Sequence, residues 1–217
     1  MNRQKIRKYL LWGLIGAVIT VVGEMSQGLA ETVPSVDPML ELFETYAALP
    51  VWRIGFGSTV GAVGILLQYF GVYAIYLSFT DQNDKASKQY QAGMYNYAFI
   101  GAIIHILMSV MIYVYKVSKD LLPEFTVWFA APFLVVFLLG YAWFSFLMFR
   151  KFLRKETIFP AWCCVLNPVI GKTIFNAVSA VIPIPVLANG VSYSNMGITA
   201  VVMFSVLLVM IGRQHNE

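Results

Sequence analysis

Six apolar runs separated by short polar stretches constrain this chain more than anything else in it: roughly Tyr9 to Leu29, Ile54 to Phe79, Met94 to Tyr115, Val127 to Phe149, Ile158 to Ile182 and Gly197 to Ile211. A helix needs about 20 apolar residues to cross the roughly 30 Å of hydrocarbon in a bilayer. All but the last run reach that length, and the last does so once Tyr193 to Met196 join it. At 59% apolar and 12% charged residues, the composition also lies outside the range of water-soluble domains. The alternating ten-residue strands of a membrane barrel are absent. The expected fold class is therefore all-α, a polytopic bundle of six transmembrane helices forming a single domain over residues 1–217. The spans are expected near 9–29, 54–79, 94–115, 127–149, 158–182 and 193–211, with a short amphipathic helix in the first outer loop.

The net charge of +4 is no nucleic-acid footprint, because the basic residues are sorted by side. Arg3, Lys5, Arg7, Lys8, Lys85, Lys88, Arg150, Lys151, Arg154, Lys155 and Arg213 fall on one side of the expected spans, against Arg53, Lys116 and Lys119 on the other. The positive-inside rule then places the chain in the cell membrane with both termini cytoplasmic. The first outer loop is acidic, with Glu31, Asp37, Glu41 and Glu44. The start of the chain has the parts of a secretory leader: basic residues, an apolar stretch from Leu10 to Val22, and Gly28-Leu29-Ala30. Glu24 and Gln27 close to that cut argue for a retained helix instead. The adjacent Cys163 and Cys164 supply no disulfide framework and read as packing residues.

Within the first loop, Asp37 stands where an N-cap belongs, Pro38 at the first helical position, and Met39, Leu42, Phe43 and Tyr46 on one face. This reads as a surface helix followed by an interfacial Trp52. In the second span Arg53, Gly57, Gly61, Gly64, Gln68 and Gly71 form one stripe, and Gly57 with Gly61 is a small-xxx-small motif that admits a neighbouring backbone. The fourth span is aromatic and without ionisable residues, so it and the sixth are expected to face lipid, around spans one, two, three and five. In the fifth, Pro168 leaves the Cys164 carbonyl without its helical donor and predicts a kink. Lys172, Asn176 and Ser179 follow on one polar stripe, and Pro183 and Pro185 end the helix.

Ionisable residues inside spans are costly and normally face the interior, and the spans hold three: Glu24, His105 and Lys172. At about 1.5 Å per residue, His105 and Lys172 fall near mid-depth and Glu24 roughly 7 Å outward of it. Thr20, Glu24 and Gln27 share a face, as do Gly101, His105 and Ser109, while Gln68 lies at mid-depth and Arg53 at the outer end of the glycine stripe. Glu24, Gln27, Arg53, Gln68, His105, Lys172 and Asn176 are thus the expected ligand-binding set. Glu24 and Lys172 would hold a polar head, His105 titrate and Arg53 act as gate, with Tyr69, Tyr73 and Tyr97 along the apolar part. A histidine beside a carboxylate can exchange protons near neutral pH. The plain alternative is a neutralising ion pair, Glu24 with Lys172 or Arg53, that only fixes packing.

No nucleophile elbow, His-Glu-x-x-His, Walker loop, diphosphate site or Cys-x-x-Cys is present. One intramembrane histidine and one intramembrane acid make neither a haem pair nor a zinc set, so no metal or cofactor is expected. The motifs GEMSQG (23–28), LPVWRIGFGSTVGAVG (49–64), CCVLNP (163–168) and SNMGI (194–198) resemble, over nearly the whole chain, an uncharacterised group of six-span bacterial membrane proteins classed as a domain of unknown function. The resemblance implies a six-helix fold with Glu24, Arg53 and Asn167 at family-like positions, and no activity. The expected function is binding of a membrane lipid or amphipathic small molecule in an outward-opening polar pocket of an inner-membrane protein. The alternatives are a small proton-coupled transporter or membrane subunit, an intramembrane acid–base enzyme, and a structural or immunity-type protein. Nucleic acid is not an expected partner, and the lipid-facing spans are compatible with a homo-oligomer.

Overall fold

The computed structural model describes residues 2–35 and 37–213, with Pro38 and Met39 by backbone alone, so the contact expected of Met39 lies outside the described residues. In chain order the helices are α1 (Arg3–Gly28), α2 (Pro38–Ala47), α3 (Val51–Leu77), α4 (Lys85–Val117), α5 (Lys119–Leu153), α6 (Pro168–Ala180), α7 (Pro185–Tyr193) and α8 (Asn195–Arg213). α4 contains a π-helical turn at Asn96–Ile100, and α5 another at Thr126–Ala130. Among the described residues no strand forms beyond an isolated bridge between Phe79 and Thr157. Five helices, α1, α3, α4, α5 and α8, are long and apolar enough to cross a membrane, which makes this a multi-pass membrane protein by length and composition.

The bundle is organised on an antiparallel pair, α1 with α3. Gly13, Gly16, Thr20, Gly23 and Gln27 on α1 recur at alternating steps of three and four, as do Gly57, Gly61, Gly64, Gln68 and Gly71 on α3. Two helices with that period pack along a left-handed seam. The seam leaves no room for side chains. A Cβ at Gly13 would sit 2.3 Å from Gly71 Cα, one at Gly16 2.7 Å from the Gln68 amide, and one at Gly23 2.5 Å from the Gly61 amide. Apolar side chains gain little in lipid by leaving lipid, so close backbone approach is where such a pair finds its dispersion energy.

The other long helices flank this pair. α8 packs on α1, with the Phe204 ring against Gly71, and α4 packs on α3. α5 lies against α4, where Phe144 meets Gly93 and Asn96 meets Gly140. As expected of a lipid-facing helix, α5 exposes Trp128, Phe129, Val135, Leu139, Trp143 and Phe146. The expectation that the sixth run lies outside the polar core is overturned. α8 buries Gly197, Thr199, Ala200, Met203, Phe204 and Leu207.

The fifth run, 158–182, also departs from expectation, because it is no single helix. A 3-10 turn at Ala161–Leu166 is followed by α6, and α7 begins only after the run has ended. The Cys164 carbonyl is not left free but accepts from the Asn167 amide at 3.3 Å. Asn167 is extended, as the residue before a proline prefers, and its side chain caps α6 by accepting from the Val169 amide at 2.9 Å. Its amide group also donates to the Ser145 carbonyl of α5 at 2.7 Å. Pro168 therefore opens a new helix at its first position instead of kinking an old one. At 13 residues, or about 20 Å, α6 alone is shorter than a bilayer core.

Polar locks close both ends of the bundle. Near the N-terminus, the buried Lys151 pairs with Asp84, and with Glu156 at 2.9 Å. Asp84 also caps α4 by accepting from the Ser87 amide at 2.6 Å. Partial burial works against ionisation of Asp84, but the bonds from Lys151 and Ser87 outweigh it and hold the carboxyl down at about 2. At the opposite end α2 folds over α4. Glu44 accepts from Tyr115 and Lys119, both at 2.6 Å, and Lys116 donates to the Ala47 and Leu49 carbonyls.

Candidate functional site

α1 and α3 form one wall of a cavity of about 210 Å³, facing α4 and α5 on one side and α8 on the other. Thr20 and Glu24 come from α1, Ile65 and Gln68 from α3, and Tyr97, Gly101, Ile104, His105 and Met108 from α4. Phe137 of α5, Tyr193 of α7, and Met196 and Gly197 of α8 complete it. The lining is mainly apolar with a few convergent polar groups, the usual make-up of a small-molecule site.

Local sequence explains each placement. Glu24 follows Gly23, so the residue that locks α1 onto α3 aims the next side chain away from the seam and into the cavity. The His105 ring fits a notch left by Gly61, where a Cβ would come within 2.1 Å of Nε2. Its Nε2 lies 3.1 Å from the Gly57 carbonyl. A carbonyl only accepts, so that nitrogen carries the hydrogen, and Nδ1 is the ring position left to accept a hydrogen bond or take a proton. Tyr97 belongs to the π-turn of α4 and donates to Gln68 Oε1. Gln68 Nε2 donates to Thr20 Oγ1 at 2.8 Å, and Thr20 donates to the Gly16 carbonyl at 3.0 Å. At the other end Gln27 Nε2 donates to the Ile54 carbonyl at 2.6 Å and to Ser109 at 3.1 Å, while Gln27 Oε1 accepts from Tyr193 at 2.5 Å.

These two networks satisfy their members, and Glu24 stands apart from them. The residue is 94% buried, and its Oε2 has no hydrogen-bond partner. It lies against Gly197, where a Cβ would come within 2.6 Å of Oε2, so a larger residue there would collide with the acid. Among the described residues no basic group pairs with Glu24, and the ion pairs join Lys119 to Glu44 and Lys151 to Asp84 and Glu156. A buried polar atom left without a partner costs about 1–3 kcal/mol, more if charged, so its persistence points to a purpose.

The expected site set thus divides. Glu24, Gln68 and His105 line one cavity, and Gln27 braces its end through Tyr193. Arg53 does not reach it, because Nε donates to the Ser26 carbonyl at 2.8 Å and a terminal nitrogen to the Leu29 carbonyl at 2.9 Å, which caps α1. Lys172 and Asn176 do not line it either, since α6 packs outside α8. Lys172 is half-buried and has no ion-pair partner among the described residues. Asn176 is exposed and accepts from Asn195 at 2.6 Å. The arrangement with the fifth run at the polar core is therefore replaced by one with α8 there. Of the three tyrosines, Tyr97 lines the cavity, while Tyr69 and Tyr73 stack on each other at 6.0 Å away from it. Gly197, Tyr193, Met196 and Phe137 escaped the reading of the sequence. The glycines of α1 escaped it as well, although they repeat the three-and-four step already noted on α3.

Compared with known proteins, the chain matches the family of unknown function DUF6796 over residues 1–214 and therefore belongs to it. No curated protein and no solved structure matches.

Proposed function

We propose, on the premise of a family to which no activity is attached, that this is a bacterial inner-membrane protein whose intramembrane cavity binds an amphipathic or lipid-like small molecule. The observation that carries the reading is the Glu24 carboxyl, buried, unpartnered at Oε2 and facing a mostly apolar cavity in which Thr20, Gln68, Tyr97 and Tyr193 are hydrogen-bonded. Glu24 and His105 meet the polar end of the ligand. Ile65, Ile104, Met108, Phe137 and Met196 hold its apolar part. Six crossings are part of the proposal. The segment between α5 and α8 has to run from the end of the bundle holding Lys151 to the end holding Tyr193, and the 3-10 turn with α6 provides a broken crossing. The lysine-rich end lies in the cytoplasm by the positive-inside rule, and α2 rests on the opposite face as an amphipathic loop helix.

Native mass spectrometry of the gently solubilised protein tests this, comparing wild type with Glu24→Gln and with Gly101→Val, which fills the cavity opposite the acid. A small molecule retained by wild type and lost from both variants is the expected result. If wild type and variants carry the same bulk lipid and nothing else, the cavity is a packing defect and the proposal falls.

A further inference from the structure

We infer that the ligand of this cavity is an organic cation, an ammonium head on a small apolar body. The inference rests on the pocket reading above and names the ligand's chemistry. It follows from which hydrogen-bonding groups in the cavity are committed and which are left over. The donors are committed: Tyr97 to Gln68 Oε1, Gln68 to Thr20, Tyr193 to Gln27, and His105 Nε2 to the Gly57 carbonyl. What remains is Glu24 Oε2, an acceptor carrying negative charge once a cation beside it favours the ionised form, together with Nδ1 of the His105 ring.

The charge balance points the same way. Neither lysine nor arginine lines the cavity, and the cations that sequence position offered for an anionic head are placed elsewhere. Arg53 spends its donors on α1 carbonyls, and Lys172 lies on α6 outside α8. An anionic head would bring its charge into a low-dielectric site that holds an acid and neither lysine nor arginine. A cation meets its counter-ion there. Tyr97, Tyr193 and Phe137 also line the cavity, and aromatic rings are frequent partners of ammonium groups. At about 210 Å³ the space exceeds the roughly 150 Å³ of an engineered cavity known to admit benzene, so it suits a head with one ring or a short chain.

The test uses the full-length protein in lipid nanodiscs and saturation binding of radiolabelled benzylamine, protonated at neutral pH, with benzyl alcohol and phenylacetate as neutral and anionic competitors. The expected result is one saturable site. Affinity there falls at least tenfold in Glu24→Gln and in Gly101→Val, benzyl alcohol competes at least tenfold more weakly than the unlabelled cation, and phenylacetate does not compete. Phenylacetate competing as well as the cation overturns the inference, as does undiminished cation binding in Glu24→Gln. If Glu24→Gln does not elute as a monodisperse species, Gly101→Val decides, because it keeps the acid and removes the space. Undiminished binding there is equally fatal. A neutral or anionic molecule that co-purifies with wild type and is lost from Gly101→Val, combined with no saturable cation site, sinks the cation and leaves the pocket standing. No co-purifying molecule and no saturable site sinks both.

Discussion

The two flanks of α1 differ in kind. Toward α3 the contact is backbone on backbone, with main-chain atoms of Gly61, Gly64, Gln68 and Gly71 2.3–2.7 Å from where a Cβ would be. Between α8 on one side and α4 with α5 on the other, the same bundle keeps a cavity of about 210 Å³ holding a carboxyl whose Oε2 has no hydrogen-bond partner. Gly23 and Glu24 are adjacent in sequence and belong one to each flank. In water, apolar packing would be rewarded wherever it occurs. In lipid it is rewarded mainly where surfaces approach more closely than lipid tails can. The fold concentrates that close approach in one seam, so the other flank can stay loose without unfolding the bundle. Interiors with a job to do commonly give up packing in this way.

The difference can be broken most severely at the seam. Gly23→Leu forces apart the two helices on which the rest is assembled. Its cost is expected at the top of the roughly 1–3 kcal/mol range for overpacking, or beyond it. The readout is the recovery of monodisperse protein and the midpoint of denaturant unfolding in detergent. A variant as stable as wild type would show that the seam is not the organising contact. Next in size is the lock near the N-terminus, which belongs to neither flank. Lys151→Met leaves Asp84 and Glu156 facing each other without their cation. A fully buried pair broken this way costs about 3–5 kcal/mol, but both acids are a third exposed, so about 1–2 kcal/mol is expected in the same unfolding assay.

That lock also sets a pH dependence whose sign is fixed. The folded Asp84 carboxyl is held down at about 2, below its ordinary value near 4. Its contribution is therefore present above about pH 4 and is lost as pH falls through that window toward 2. The unfolding midpoint of wild type should drop between those values, and Asp84→Asn should remove part of that slope. An identical slope in the variant would mean that the pair does nothing for the fold.

How much of this was legible depends on the range of the cause. The five long helices follow from apolar runs alone, and the α3 stripe from Gly57 to Gly71 follows from helical spacing, because both are local properties. The partner of that stripe was equally legible. Gly13, Gly16 and Gly23 carry the same period, and two matching stripes of small residues imply each other. The break at Asn167 was not legible, because hydropathy is blind to the bond that its side chain makes with the Ser145 carbonyl on another helix. Spacing put Lys172 and Asn176 on one stripe correctly, but which neighbour that stripe meets is decided by packing, and α6 lies outside α8. Lys151 read as one more basic flank residue; Glu156 lies only five positions on, but Asp84 comes from a segment that only the fold brings to it.

The smallest effect is the sharpest comparison, because it asks the same chemical change of both flanks. Gly101 lines the cavity, and a Cβ there would meet the edge of the Phe137 ring at 3.2 Å and Ile65 at 3.5 Å, both of which are side chains that can shift. Replacing a helical glycine by alanine gains about 0.5–1 kcal/mol of backbone propensity, which offsets most of that crowding. Gly101→Ala is therefore expected within about 0.5 kcal/mol of wild type. Gly23→Ala places its methyl 2.5 Å from the Gly61 amide, and backbone cannot turn aside, so the same propensity gain is outweighed. Denaturant titration of the two variants side by side measures the gap directly. Equal midpoints would mean that the seam yields as easily as the cavity wall, and the contrast between the flanks would then lie in shape alone and not in energy.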